Sequence, residues 1–219
     1  MKTIVCYGDS NTWGFKPEPA RPAIETVRFA WNVRWTGILQ KLLGSGFRVE
    51  EEGLSGRATA FNDPFDERLN GLRYLDCCLL TKMPVDLVIL MLGTNDTKEY
   101  FGVDAYHISC GLEQLILKIK QGGYGPSGKC PEILIVSPAN LRKNIYSTWT
   151  GEVFGKGCLE KDISLKNYYQ QVADRNNCRF IDAANFVEAS TLDAVHLDAK
   201  NHDKLARAIY KEAMKIFDR

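Results

Sequence analysis

The sequence lacks several features that would indicate particular partners. Its 219 residues include 28 basic and 27 acidic side chains, so the net charge is only +1. Without an excess of positive charge, neither nucleic acid nor an anionic membrane surface is an expected partner. No apolar run has the length of a membrane span or of a signal peptide, and we therefore expect a cytoplasmic protein.

Motifs for disulfides and metal ions are also missing. The seven cysteines are odd in number, form no C-x-x-C pair and include the chain neighbours Cys77 and Cys78. We expect free, mostly buried thiols of a reducing compartment. His196, Asp198 and His202 do not have the spacing of zinc ligands, so no metal is expected.

What remains is typical of one soluble domain. Hydrophobic residues make up 45% of the chain and charged residues 25%, which disfavours a disordered or fibrous protein. A chain of this length can bury one sizeable core, whereas two full domains would be cramped. We expect a single domain over residues 1–219.

Short apolar runs and helical patterns alternate along the chain. The runs suit buried parallel strands and cover residues 3–7, 47–52, 87–92, 133–137 and 179–181. Helical spacing covers residues 33–43, 68–80, 105–120, 159–176 and 200–217. This alternation predicts an α/β fold, a three-layer sandwich around a five-stranded, mostly parallel sheet. Residues 125–128 and 147–157 are predicted to be loops.

Ser10, in the run Gly8-Asp9-Ser10-Asn11, follows the first predicted strand directly. It should lie at a turn on the carboxyl edge of the sheet, where α/β proteins place their functional loops. A serine hydroxyl needs a histidine base, which a third group orients, to become a nucleophile at neutral pH. Taken alone, Gly-Asp-Ser is also a common turn sequence.

Three histidines are available as the base. His107 lies in a predicted helix, and His202 begins the last predicted helix and could face solvent. His196 follows the last predicted strand, and Asp193 lies three residues before it, so one turn can direct both side chains the same way. We predict that His196 is the base and Asp193 its orienting group, and that activity decreases as acidification protonates His196.

Two further loops offer hydrogen-bond donors for the oxyanion of an acyl-transfer intermediate. The loop after the second strand can direct the backbone N–H of Gly56 inward, and the loop after the third strand offers the side-chain amide of Asn95. With the N–H of Ser10, these groups make three donors. Arg57 could be a surface charge or could brace its loop.

These segments occur in the order Ser, Gly, Asn, Asp-x-x-His, and together they resemble the SGNH (GDSL) hydrolase family. Three runs are similar to its bacterial arylesterase and acyltransferase branch, which includes a mycobacterial enzyme: Glu52-Gly-Leu-Ser-Gly-Arg57, Arg34-Trp-Thr-Gly37 and Leu87-Val-Ile-Leu-Met-Leu-Gly-Thr-Asn-Asp-Thr-Lys98.

The resemblance implies a flavodoxin-like SGNH hydrolase that cleaves short-chain or aryl esters and can transfer acyl groups to alcohols. It implies no organic cofactor, and it implies that copies of the chain can assemble into a homo-oligomer. Its site residues would be Ser10 as nucleophile and donor, Gly56 and Asn95 as donors, His196 as base and Asp193 as its orienter.

The chain also departs from the family pattern. Asn11 replaces the leucine of the usual Gly-Asp-Ser-Leu run, and Phe15 stands where the mycobacterial enzyme has tryptophan. Both changes are expected to reshape the acyl pocket. Four aromatic side chains are candidates for lining an ester-binding cleft, although aromatics near loops also cover core edges: Trp13, Phe15, Trp149 and Phe154.

Two other functions are compatible with such a fold. One is a non-catalytic module that binds a carbohydrate or an acylated ligand in the same cleft, but all five predicted site residues are present. The other is a flavodoxin-like phosphate or nucleotide binder. It is disfavoured because the segment after the first strand has no Walker-type lysine and places Asp9 where it would repel a phosphate.

Overall fold

A computed structural model describes residues 1–23 and 27–218. Its centre is one sheet of five parallel strands in the order β2-β1-β3-β4-β5. The strands are β1 (Lys2–Gly8), β2 (Phe47–Gly53), β3 (Leu87–Met91), β4 (Glu132–Ser137) and β5 (Arg179–Asp182). The predicted α/β class and five-stranded sheet are therefore confirmed, and every strand pair is parallel.

Seven α-helices connect or follow these strands in the described part of the chain. They are α1 (Ser10–Trp13), α2 (Trp35–Leu43), α3 (Gly71–Leu80), α4 (Ala105–Gln121), α5 (Trp149–Phe154), α6 (Cys158–Arg175) and α7 (Ala199–Phe217). No helix within residues 1–23 and 27–218 is long and apolar enough to cross a membrane. All seven cysteines are free as predicted, but only Cys6, Cys78 and Cys158 are buried.

The central strands are apolar throughout because helices cover both faces of the sheet. In β1, Val5 and Tyr7 face a core cluster that includes residues of α3, α4 and α6. Ile4 and Cys6 face the opposite cluster, which includes residues of α2 and α7. The alternation follows from the two-residue period of a strand, and it builds the expected three layers.

Two predicted helices begin two or more residues later in the structure. The helix predicted over 33–43 begins at Trp35, and the one predicted over 68–80 is a 3₁₀ turn over Glu67–Leu69 followed by α3. Asn70 separates the two because its side chain accepts hydrogen bonds from the backbone N–H groups of Leu72 and Arg73 and so caps the helix.

The prediction of a loop over residues 147–157 is wrong, because α5 lies within it. Thr148 is extended just before the helix, and Gly155, with φ of 68°, ends it. Phe154 packs with Ile145 and Val195 in a small separate core, and this burial stabilises a segment whose glycine-rich sequence resembles a loop. Residues 125–128 form a short 3₁₀ turn, in agreement with the predicted loop.

The sheet order brings the functional loops together. From β1 the chain moves to β2 on one side, and it then crosses to β3 on the other side of β1. Parallel sheets bind ligands at the carboxyl ends of strands where the connections diverge in this way. The segments that follow β1, β2 and β3 contain Ser10, Gly56 and Asn95.

Candidate active site

Ser10 begins the short helix α1 at the end of β1. The carboxylate of Asp9 caps this helix by accepting a hydrogen bond of 3.0 Å from the backbone N–H of Asn11. Gly8 must lack a side chain because a Cβ there would overlap the side chain of Thr12. The chain therefore turns directly from β1 into α1, with Ser10 at the start of the helix.

Ser10, His196 and Asp193 form a continuous hydrogen-bonded line. The Ser10 Oγ lies 3.0 Å from the His196 Nε2, and the His196 Nδ1 lies 2.7 Å from the Asp193 Oδ2. The Asp193 carboxylate can only accept, so it places the proton of the neutral imidazole on Nδ1. The Nε2 is then free to accept the serine proton, as the sequence predicts for this trio.

A tight turn directs Asp193 and His196 to the same side. The second carboxylate oxygen of Asp193, Oδ1, accepts hydrogen bonds from the backbone N–H of Val195 at 3.1 Å and of His196 at 3.0 Å. Ala194 between them is left-handed, with φ of 66°. The hydroxyl of Thr150 donates to the backbone carbonyl of Asp193 and so ties α5 to this turn.

Asn11 has a position that the sequence did not reveal. Its Nδ2 donates to the Val195 carbonyl at 3.3 Å, and its Oδ1 accepts from the Leu197 N–H at 2.9 Å. Asn11 does not line the cavity beside Ser10, so it does not shape an acyl pocket there by direct contact. It holds the backbone on both sides of His196 instead.

Gly56 and Asn95, which are predicted to donate to an oxyanion, line the same cavity as Ser10. Gly56 has φ of 89°, and a Cβ there would lie only 3.0 Å from Leu69, so both backbone conformation and space favour glycine. The Asn95 Nδ2 uses one N–H to donate to the Arg57 carbonyl at 3.1 Å, which leaves its other N–H available.

Arg57 braces this loop and is buried, so it is not a surface charge. Its guanidinium Nη1 donates to the Gly8 carbonyl at 2.9 Å and also to the Glu52 carbonyl. These bonds tie the ends of β1 and β2 together. They fix the distance between the Ser10 turn and the Gly56 turn.

A cavity of about 130 Å³ opens beside the Ser10 hydroxyl. Phe15, Trp149 and Phe154 line it as predicted, whereas Trp13 does not. The Phe15 ring stacks on the His196 imidazole, with ring centroids 4.1 Å apart and an angle of 22° between the planes. The other lining residues are Ser10, Ser55, Gly56, Asn95, Lys98, Thr150, Val153, Val195 and His196.

Comparison with known proteins places this arrangement in a family. The family model of the GDSL-like lipase/acylhydrolases matches residues 6–204. The chain belongs to this family. A comparison with curated proteins finds no match.

Solved structures of other proteins are similar to this one over nearly the whole chain. The native aryl esterase of M. smegmatis is 38% identical, with a TM-score of 0.92 over 99% of this chain and 100% of that one. A carbohydrate acetylesterase from Sinorhizobium meliloti is 37% identical, with a TM-score of 0.90 over 99% and 100%. A lipolytic G-D-S-L family member from Veillonella parvula, 16% identical with a TM-score of 0.66 over 100% of both chains, shares the fold.

The other two histidines of this GDSL-family chain differ from each other. His107 is exposed beside Asp104, near the start of α4. His202 is completely buried, so the expectation that it could face solvent is wrong. Its Nδ1 accepts a hydrogen bond from the Trp35 N–H, and burial lowers the pKa of its imidazole to about 4. His202 is therefore neutral at physiological pH and supports packing between α2 and α7.

Two carboxyl groups of the loops that contain the predicted site residues, those of Asp9 and Asp96, are buried. Burial raises the pKa of Asp9, and it raises the pKa of Asp96 to about 6 despite hydrogen bonds from Thr59. Within the described residues, no group of His, Cys, Asp and Glu side chains is arranged to hold a metal ion.

Proposed function

We propose that this protein is a serine esterase that hydrolyses short-chain or aryl carboxylic esters through an acyl-enzyme. The observation that carries this proposal is the hydrogen-bonded line from Ser10 through His196 to Asp193, beside a mostly apolar cavity. The similarity to an aryl esterase and to a carbohydrate acetylesterase supports the same reaction class.

In the first half-reaction, the Ser10 Oγ attacks the ester carbonyl carbon while the His196 Nε2 takes the hydroxyl proton. The Asp193 carboxylate stabilises the imidazolium that forms. Backbone N–H groups of Ser10 and Gly56 and the free amide N–H of Asn95 would bind the developing oxyanion. His196 then returns its proton to the leaving alkoxide, and the alcohol departs.

In the second half-reaction, His196 deprotonates a water molecule, which attacks the acyl carbon. The bond from that carbon to the Ser10 Oγ then breaks, His196 returns the proton to the Oγ, and the acid departs. A small alcohol bound in place of water would instead give a new ester. The apolar side chains of Phe15, Trp149 and Phe154 would favour an organic acceptor in this space. The ratio of transfer to hydrolysis then depends on which acceptor occupies the cavity.

The size of the cavity limits the substrate. A volume of about 130 Å³ accommodates a small acyl group or part of a ring, but not a long fatty chain. We therefore expect acetyl and propionyl esters to react faster than hexanoyl or octanoyl esters.

The decisive experiment compares hydrolysis of p-nitrophenyl acetate by the wild type and by Ser10→Ala. We expect the substitution to abolish turnover above background, whereas Ser164→Ala, at a partly exposed serine on α6, should retain it. A fluorophosphonate should label the wild type on Ser10. Equal turnover by wild type and Ser10→Ala would overturn the assignment. Absence of both turnover and labelling would favour the non-catalytic binding module.

A further inference from the structure

Lys98 is a cationic side chain in the wall of the cavity beside Ser10. It follows the 3₁₀ turn Asn95–Thr97 and is only 6% exposed. Among the described lining residues it is the only lysine or arginine, and its neighbours include Val153 and Phe154. An apolar pocket for simple esters does not require such a group.

The ammonium of Lys98 has no hydrogen bond or ion pair within residues 1–23 and 27–218. Its Nζ lies 5.7 Å from the ring centroids of both Tyr100 and Phe154, where the two ring faces compensate only part of the lost hydration. Burial accordingly lowers the pKa of Lys98. Burying a charge without a direct partner costs free energy. An anionic partner that entered the cavity would therefore stabilise the Lys98 ammonium.

Three carboxylates act electrostatically on Lys98 and favour its charged form: Asp63, Asp96 and Asp9. Each is held by other donors. Asp63 accepts hydrogen bonds from the Tyr100 hydroxyl at 2.5 Å and from a backbone N–H at 2.9 Å. Asp96 accepts from the backbone and hydroxyl of Thr59, and Asp9 caps α1. These carboxylates favour the charged form of Lys98 without forming an ion pair with it.

We propose that Lys98 determines specificity by binding a carboxylate carried by the ester substrate, so that the enzyme prefers acidic esters over neutral ones of the same size. This inference rests on the proposed esterase function. A carboxylate in the cavity would accept a charge-assisted hydrogen bond from an ammonium that is already largely desolvated. The carboxylate can belong to the acyl part or to the leaving group, and the two are tested separately.

For the leaving group, 3-acetoxybenzoate is compared with its neutral methyl ester. For the acyl part, p-nitrophenyl hydrogen glutarate is compared with p-nitrophenyl pentanoate, after the spontaneous rate of each is subtracted. The quantity measured is the ratio of kcat/KM for the acidic ester to that for the neutral ester. We expect Lys98→Met to lower this ratio roughly 10- to 100-fold in one of the pairs.

Two further variants separate binding from structural effects. Lys98→Arg should retain more of the preference than Lys98→Met because it keeps the charge. Lys161→Met is the matched control, since the Lys161 ammonium is close by but donates to the Thr97 carbonyl and does not line the cavity. It should leave the ratio near its wild-type value. Thermal unfolding establishes that each variant is folded.

A binding measurement removes chemistry from the test. Calorimetric binding of 3-acetoxybenzoate and of p-nitrophenyl hydrogen glutarate to Ser10→Ala should weaken at least tenfold for one of them when Lys98→Met is added. Equal loss of kcat/KM for acidic and neutral esters in Lys98→Met would overturn the inference, as would a wild type that turns over neutral esters without preferring either acidic one. A wild type inactive on all four esters would overturn the proposed function itself.

Discussion

Asn11 holds His196 in place without contacting its imidazole. The Asn11 amide bonds to the carbonyl of the residue before His196 and to the N–H of the residue after it, at 3.3 and 2.9 Å. Since Asn11 is the neighbour of Ser10, the nucleophile turn and the base loop are joined at the point where their side chains must meet. The distance from Oγ to Nε2 thus depends on this amide.

Replacing Asn11 with leucine should therefore impair catalysis more than binding. The Leu197 N–H and Val195 carbonyl would lose their partner in a buried site, and the imidazole would lose its fixed orientation. We expect kcat to fall about 10- to 100-fold, with a smaller change in KM. Steady-state kinetics with p-nitrophenyl acetate measure both constants.

The control for Asn11 is Asn144→Ala. It removes an exposed hydrogen bond from the Asn144 side chain to the Thr191 carbonyl, and neither residue is near Ser10 in the chain. It should retain wild-type kinetics. An Asn11→Leu enzyme with unchanged kcat would show that the remaining bonds of the base loop hold His196 in place without Asn11.

Asn95→Ala should lower kcat by about 10²- to 10³-fold, because it removes one of three donors to the oxyanion. The substitution also removes the bond to the Arg57 carbonyl, so thermal unfolding must accompany the kinetics. Asn185→Ala, at an exposed position after β5, is the control and should be fully active. A folded Asn95→Ala enzyme with wild-type kcat would exclude Asn95 from the oxyanion site.

Trp149→Ala should extend the range of acyl chains. The indole lines the cavity and is anchored by a 3.0 Å hydrogen bond from its Nε1 to the Glu18 carbonyl. Removing it opens space for additional methylene groups, each of which contributes about 0.8 kcal/mol when buried. We expect the kcat/KM ratio of hexanoate to acetate esters to rise about tenfold.

The control for Trp149 is Trp31→Ala, at a half-exposed tryptophan outside the cavity lining. It should leave the chain-length profile as it is in the wild type. An unchanged profile in Trp149→Ala would indicate that the acyl chain leaves the site in another direction.

Asp162 should make the protein less stable as the pH rises. This buried carboxyl on α6 accepts a 2.8 Å hydrogen bond from the Leu141 N–H, and burial raises its pKa to about 7. In the unfolded chain an aspartate loses its proton near pH 4. Between about pH 4 and 7 the folded state therefore binds more protons than the unfolded state, and its stability falls with increasing pH across that window.

Asp162→Asn keeps an oxygen for Leu141 and removes the titration. Urea unfolding at pH 5 and pH 8 should show that the variant loses less stability over this range than the wild type, by about 2 kcal/mol. Asp174→Asn, at an exposed aspartate of the same helix, should follow the wild type. Parallel losses in Asp162→Asn and wild type would contradict the prediction.

The strands and the pairing of Asp193 with His196 were predictable because their signals are local. A buried strand such as β3 is an unbroken apolar run, and Asp193 and His196 lie within one turn of chain. The burial of His202 could also have been predicted, since it lies in helical phase with the buried residues Leu205 and Ile209 of α7.

Asn11 and Lys98 could not be assigned from the sequence because their environments are built by distant segments. Asn11 bonds to residues 184 and 186 positions away, and no local pattern marks these partners. In the sequence, Lys98 resembles an ordinary surface lysine. In the structure, Phe154 of α5 lies over its ammonium. The helix α5 itself was missed because tertiary burial, rather than helical propensity, stabilises it.

The Ser10 Oγ and its hydrogen-bonded partner His196 are separated by 186 positions in the chain. During synthesis the Ser10 hydroxyl therefore has no base until His196, 186 positions later in the chain, has been added. We therefore expect the protein to become able to hydrolyse esters only late in folding. In a refolding experiment, fluorophosphonate labelling of Ser10 should lag behind the recovery of helical circular dichroism.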